Sequence, residues 1–270
     1  MYPLPYSVTV RQAATVTDLV TRADVKARLG ITDTDDDAVI DTAIDEASRA
    51  IEQYIGRPLG LQTYREITSA AQSRQQTLRL SRWPLDPESL TVTQQGTALT
   101  SDVTVVNSQH GEVWRSATWP RVQAFDSAGV AGLQADYRAG YLLPGQVSAW
   151  AGDTAIAAGA WVRPSGTSPF LFECTTPGTT DSTEPTWATA DDRGETITDG
   201  TVVWTAVELE ELPEVFTLCA YLVTQHLYSD RPAGLKFWKE GDSSESFNDG
   251  AMTDVLPPNV LRSLNGWRIC

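Results

Sequence analysis

The sequence predicts an α+β protein: a small helical bundle with a β-rich section, plus an inserted small all-β module. Three observations lead to this prediction. Apolar residues recur at helical spacing near both ends, residues 61–141 consist of short Thr-, Val- and Tyr-rich runs, and residues 146–208 have a composition of their own. We therefore expect a discontinuous host domain, residues 1–145 and 209–270, interrupted at a surface connection by the module, residues 146–208.

Two helices are predicted in the first sixty residues. Thr21 and Asp24 have capping-box spacing, so a short helix is expected from Thr21 to Leu29, with Gly30 ending it. A longer helix is expected over about residues 34–55. Its apolar face should comprise Ile40, Ile44, Ala47, Ile51 and Tyr54, which recur at steps of three and four.

The longer helix begins in an acidic run, DTDDDAVIDTAIDEA, in which Asp33, Asp35 and Asp37 match the first ligands of an EF-hand calcium loop. The sixth position is Ala38 instead of Gly, and the twelfth is Ile44 instead of Glu, so the two most demanding positions fail. We therefore interpret the run as a helix start, where carboxylates cap free amides and favour the positive end of the dipole. No metal ion is expected.

The remaining host elements follow from short patterns. Strands are predicted for six runs: TYREIT, TLRLS, SLTVTQ, DVTVVN, GEVWR and LQADYRAGY. The run TQQGTAL predicts a hairpin turn. A helix beginning at Pro213 is expected to bury a stripe formed by Val215, Cys219, Leu222 and His226. Residues 231–256 predict a mobile loop, and a short helix, Asn259 to Leu264, precedes the tail NGWRIC.

The tail contains Trp267, Arg268 and Ile269, and the module contains Trp161, Trp187 and Trp204. Trp and Arg at a chain end are typical anchors for a partner's groove, whereas Trp267 could instead complete the core of its own domain. The three module tryptophans could form a saccharide platform. A core role is favoured for them, because large aromatic side chains dominate small cores.

Composition excludes several classes of function. The net charge is −15, so binding to DNA phosphates through Lys and Arg is not expected, although an acidic conduit can surround DNA without retaining it. The three cysteines form no C-x-x-C pair, and no apolar run approaches the length of a membrane span. Phosphate-binding loops and nucleophile elbows are absent from the sequence, so neither a cofactor nor catalysis is expected.

Four segments carry a resemblance to a known family: LVTRADVKARLGITDTDDDAVIDTAIDEASRAIEQYIGRPL, DYRAGYL, LPEVFTLCAYLVTQHLYSDR and LPPNVLRSLNGWR. In this order they resemble the head–tail connector, or adaptor, proteins of long-tailed bacteriophages, over about residues 15–143 and 209–268. The module is similar to small β modules of phage fibre and tail proteins, through its Pro-x-Trp and Asp-Gly-x-x-x-Trp motifs.

The resemblance implies a virion structural protein of the neck, assembled in the bacterial host cytoplasm. Its subunits would close into a dodecameric ring that joins the portal protein to a tail-side neck or tail-terminator protein. Packaged DNA would pass through without sequence-specific binding, and the tail at Trp267, Arg268 and Ile269 would contact the portal or a neighbouring subunit. The alternative is a saccharide-binding or particle-decorating protein that acts through the module.

Overall fold

The computed structural model describes residues 5–68, 76–99, 102–117, 119, 132–187, 194–229, 237–240, 243–246 and 256–268. Its helices and antiparallel sheets confirm the predicted α+β class. The chain divides into two compact units. The helical unit comprises Thr17–Leu59 and Leu212–Cys270, and the β unit comprises Met1–Val16 and Gly60–Glu211.

The helical unit contains α1 (Arg22–Leu29), α2 (Asp37–Ile55), α3 (Glu214–Ser229) and α4 (Pro258–Leu264), followed by a 3₁₀ turn, Asn265–Trp267. The predicted start of α1 is confirmed, because the Thr21 hydroxyl accepts a hydrogen bond from the Asp24 amide at 3.1 Å. Its predicted end is confirmed as well, because Gly30 adopts the left-handed conformation with φ of 71°.

The α2 helix buries Ile40, Ile44, Ala47 and Ile51 as predicted, whereas Tyr54 is only half-buried. Asp37 lies in the first turn as expected, but side-chain capping by Asp36 is not observed. Asp36 is the N-cap, but its φ and ψ of −100° and 5° are not those of an extended capping residue, and its side chain makes no capping hydrogen bond. Asp36 instead accepts a hydrogen bond from the Tyr228 hydroxyl at 2.6 Å, and Asp37 forms an ion pair with Lys26.

The buried face of α3 differs from the predicted stripe. Its buried residues are Phe216, Cys219, Ala220, Val223 and Thr224, so only Cys219 is shared with the prediction. The α3 helix is apolar around much of its circumference and packs against α1, α2 and α4. Its sequence therefore fits more than one stripe, and the tertiary contacts select the buried face.

The residues predicted as a mobile loop, 231–256, include a two-stranded hairpin of β16 (Phe237–Glu240) and β17 (Ser243–Ser246). Leu256 is described and buried, and the other residues of this range lie outside the described part of the chain.

The strands of the β unit are β1 (Pro5–Gln12), β2 (Gln62–Thr68), β3 (Thr77–Arg79), β4 (Thr91–Gln94), β5 (Thr97–Leu99), β6 (Val103–Asn107), β7 (Glu112–Arg115), β8 (Leu133–Ala139), β9 (Val147–Ala149), β10 (Ala155–Ile156), β11 (Trp161–Arg163), β12 (Leu171–Thr176), β13 (Gly178–Thr179), β14 (Thr196–Asp199) and β15 (Val202–Val207). The six predicted host strands are all present, and β1 is a host strand beyond the predicted six.

Two sheets form the host part of the β unit. Five strands pair in the order β1-β2-β8-β4-β5, and three pair in the order β3-β7-β6. One core cluster draws Tyr64 and Tyr137 from the first sheet and Leu78 and Val113 from the second. The predicted hairpin turn joins β4 to β5 through Gln95 and Gly96, which both have positive φ, as a tight turn between twisted antiparallel strands requires.

The residues predicted as an inserted module form their own five-stranded sheet, in the order β14-β15-β12-β11-β9, and a two-stranded β10-β13 pair. The runs AWVRP, FLFEC and GTVVWTAV overlap β11, β12 and β15. A separate core cluster around Phe172, Cys174 and Trp204 lies within this sheet. The boundaries at residues 146 and 208 remain a prediction.

Candidate partner-binding surfaces

The C-terminal end of the helical unit packs on its own unit. The Trp267 ring lies edge-on to Phe216 of α3, with centroids 4.9 Å apart and planes at 63°. The guanidinium of Arg268 lies 4.8 Å from the centre of the Tyr54 ring of α2. Trp267 is half-buried and Arg268 is exposed, while the third predicted anchor, Ile269, lies outside the described residues.

These two contacts determine which surfaces of Trp267 and Arg268 remain accessible to a partner. Phe216 is fully buried, so the Trp267 edge that touches it closes the core of the helical unit. A partner can therefore reach the remaining part of the Trp267 ring and the Arg268 charge. The geometry favours the core role for the buried side of Trp267 and leaves partner binding as a prediction.

The module tryptophans do not form an open platform. Trp204 is fully buried and Trp161 is 7% exposed, so neither presents a ring face on which a sugar could stack. The half-buried Trp187 lies 4.4 Å from Phe172 and 6.3 Å from Trp204, measured between ring centroids. The burial favours the core interpretation over the saccharide platform.

Two indole nitrogens of the module are also hydrogen-bonded internally. The indole nitrogens of Trp150 and Trp204 both donate to Oδ2 of Asp199, at 2.9 and 3.1 Å. Asp199 is buried, and its other oxygen accepts from the Asp181 amide at 2.8 Å. This carboxylate therefore holds the two rings in place, and the three hydrogen bonds that it accepts all come from the module.

An apolar cluster joins the module to the host strands. It consists of buried Leu142, Trp161, Leu171, Val207 and Leu209, with the partly buried Leu61 and Val147 packed against it. At the base of the module a parallel bridge pairs Leu142 with Glu211, and the Leu142 amide donates to the carbonyl of Glu210 at 3.0 Å. The chain segments on either side of the module are thus adjacent at this point.

A charged bridge lies beside this cluster. Arg138 of β8 pairs with Asp86 at 2.7 Å and with Glu173 of the module strand β12 at 2.8 Å, and it lies 5.7 Å from the centre of the Trp161 ring. Burial of Arg138 acts to lower its pKa, but Asp86 and Glu173 outweigh this effect and raise it. Since the Asp86 side chain is fully buried, Arg138 is required to compensate its charge.

Another buried carboxylate, Glu66 of β2, helps to hold the host core together. Its Oε2 atom accepts hydrogen bonds from the Tyr137 hydroxyl at 2.7 Å and from the amide and hydroxyl of Ser81 at 3.0 and 2.8 Å. Burial and the nearby Glu66 charge raise the pKa of Tyr137, so its hydroxyl stays protonated and donates. The arrangement satisfies a buried charge with three donors and serves the stability of the fold.

The start of α2 presents carboxylates to solvent. Asp33, Asp35 and Asp41 are exposed, and Asp41 forms an ion pair with Arg22 at 2.7 Å. Burial raises the pKa of the nearby Asp18, and the charges of Asp45 and Asp41 raise it further. Within the described part of the chain, no group of His, Cys, Asp and Glu side chains could hold a metal ion.

None of the helices in the described ranges combines the length and apolar character needed to cross a membrane.

A match to a known protein family overlaps the first of the four segments that carry the resemblance. Residues 21–82, which contain α1, α2, β2 and β3, match the family described as phage gp6-like head-tail connector protein. This match confirms the resemblance to head–tail connectors and supports a structural role in a phage neck, in a virion. No curated protein matches the chain.

Among solved structures, one similar chain belongs to the neck of an empty GTA particle, computed with C6 symmetry. The two chains share 12% sequence identity, and the alignment covers 98% of this chain and 96% of the other, with a TM-score of 0.47. A likeness at this level does not transfer a function.

Proposed function

We propose that this chain is a subunit of the ring that connects the portal to the tail machinery and extends the DNA conduit. The observation that carries the proposal is the family match over residues 21–82, which includes the capped α1 helix and the acidic start of α2. Identical subunits would make head-to-tail contacts that close into a ring. The chain binds and positions its partners, and no catalytic step is assigned to it.

The charge of the chain supports a role in conducting DNA. A net charge of −15 and the exposed carboxylates of Asp33 and Asp35 repel the phosphate backbone. DNA would then pass along the bore without being retained, since retention requires Lys and Arg that neutralise phosphates. The proposed partners are therefore proteins: further copies, the portal, and a tail-side neck or tail-terminator protein.

We assign the portal contact to the C-terminal end. Arg268 is exposed and part of the Trp267 surface is accessible, so together they offer a charge and an aromatic ring at one place. The inserted module, residues 146–208, would decorate the outer wall of the ring. The saccharide-binding alternative gains no support from the buried rings of Trp161 and Trp204.

The ring is tested by measuring mass. Twelve chains of 29.4 kDa would give a particle of about 350 kDa, which light scattering after size exclusion separates from a monomer, and electron micrographs would show annular particles. We expect this species for the isolated chain or on addition of the portal protein from the same phage. A protein that stays monomeric under both conditions would falsify the proposal.

The portal contact is tested with two arginines near the C-terminus. Arg268→Glu should weaken portal binding by about tenfold or more, because a rim charge at an interface is reversed. The matched control is Arg262→Glu, since Arg262 of α4 is also exposed. Equal binding of the two variants would remove Arg268 from the contact.

A further inference from the structure

None of the other strands in the described part of the chain pairs with the hairpin formed by β16 and β17. Phe237–Glu240 pairs antiparallel with Ser243–Ser246, and this two-stranded sheet joins none of the other strands in the described ranges. An isolated two-stranded hairpin is at best marginally stable in water, and a third strand is the usual remedy. A third strand would therefore stabilise the hairpin.

The β1 strand offers the complementary feature. It has eight residues and pairs with β2 along one edge, whereas its other edge has no strand beside it among the described residues. Val8 and Val10 point to the same side of the strand, and Val8 packs against the host core cluster. Val10 is 47% exposed, so the core layer ends with an uncovered apolar side chain at this edge.

We propose that β16 of one copy adds to the free edge of β1 in a neighbouring copy. This inference rests on the proposed ring and names the contact that would close it. Each subunit would give its hairpin on one side and receive one on the other, which is the head-to-tail contact that a ring needs. Main-chain hydrogen bonds would provide the affinity, as in other cases of strand addition.

The residue types of the two segments fit this pairing. Positions 237 and 238 are Phe and Trp, and successive positions of a strand face opposite sides, so an aromatic residue is available to cover Val10 in either orientation. The added strand β16 contains Glu240 beside Lys239, and Arg11 of β1 is exposed, so Glu240 is the group that can pair with Arg11. Opposite charges across neighbouring strands favour pairing.

The pairing is tested by disulfide cross-linking between two differently tagged copies in a Cys270→Ser background. Cys174 and Cys219 are buried and can remain. One copy carries Val10→Cys, and the other carries cysteine at one of the positions 237–240 in turn. A disulfide forms only when the two Cα atoms lie within roughly 7 Å, so it reports on adjacent strands.

The control copy carries Val106→Cys. Val106 is 56% exposed and lies on β6, an edge strand of the three-stranded sheet, so it matches Val10 in residue type, exposure and edge position. We expect at least one hairpin position to cross-link to Val10→Cys about tenfold more than to Val106→Cys. Val10→Arg should also reduce ring formation about tenfold, whereas Val106→Arg should not.

Three results would overturn the inference. Rings by light scattering without preferential cross-linking at Val10 would refute the pairing and leave the proposed function standing. A protein that is monomeric even with portal, and shows no preferential cross-link, would refute both. Cross-linking of the hairpin to the portal alone would assign the hairpin a different partner and refute the pairing between copies.

Discussion

Replacement of Trp267 by alanine should destabilise the helical unit by about 2–4 kcal/mol. A fully buried Trp removes roughly 150–250 Å² from water, so the half-buried Trp267 accounts for about 100 Å². At about 25 cal/mol per Å² this burial contributes about 2.5 kcal/mol. The edge-on contact with Phe216 adds about 0.5–1.5 kcal/mol, and a compact unfolded state reduces the sum.

The assay is thermal or urea unfolding of the full chain followed by circular dichroism. A loss of this size should lower the melting temperature by roughly 5–10 °C in a chain of this length. Arg262→Ala is the control, because Arg262 is an exposed residue of the neighbouring helix α4. Its melting temperature should remain within about 1 °C of the wild-type value.

The specific contact is isolated by a double-mutant cycle of Trp267→Leu and Phe216→Leu. A direct ring contact predicts a coupling free energy of about 0.5–1.5 kcal/mol. An unchanged melting temperature for Trp267→Ala, or additive effects in the cycle, would refute the packing of Trp267 on Phe216. Portal binding measured on Trp267→Ala then separates the roles: retained binding would limit Trp267 to the core.

Three further predictions concern other parts of the chain. Asp18→Asn should raise the melting temperature at pH 7, because the raised pKa of Asp18 means that its charged form is disfavoured in the folded state. The wild-type protein should recover this difference as the pH falls through that pKa, and equal melting temperatures at pH 7 would contradict the reasoning. Millimolar calcium should leave the melting temperature unchanged relative to magnesium, since Ala38 replaces the glycine of the sharp turn and the buried Ile44 offers no carboxylate; a calcium-specific rise would indicate a site after all. Replacement of residues 146–208 by a short Gly/Ser bridge should leave a folded chain that still assembles, although exposure of Leu142 should cost about 2–3 kcal/mol. Unfolding of the helices or loss of assembly would contradict the insertion model.

The elements that the sequence predicts well are those whose signals are local. The cap of α1 depends on Thr21 and Asp24, three residues apart, and the β4–β5 turn depends on Gln95 and Gly96. In both cases the residues that determine the conformation are adjacent or one turn apart, so no tertiary contact is needed to recognise them. The strands between residues 61 and 141 are likewise separated by their own turn residues.

The sequence-based predictions fail where contacts between residues far apart in the chain determine the structure. The β1 strand contains the alternation of Val8 and Val10, but its partner β2 begins fifty residues later, so pairing could not be inferred from the segment itself. The buried face of α3 depends on three other helices, and residues of more than one stripe are apolar. For the candidate site, the presence of Trp267 and Arg268 is read directly from the chain, whereas their contacts with Phe216 and Tyr54 are set by the fold.

The bridge between Leu142 and Glu211 has a practical consequence for engineering. Neighbouring strands lie about 4.8 Å apart, so the chain segments that enter and leave the module are close together at Leu142 and Glu211. The entropic cost of closing a segment between such ends grows only slowly with its length. A foreign domain with adjacent termini, such as a fluorescent protein, could therefore be spliced in here as a visible label with little disturbance of the host strands.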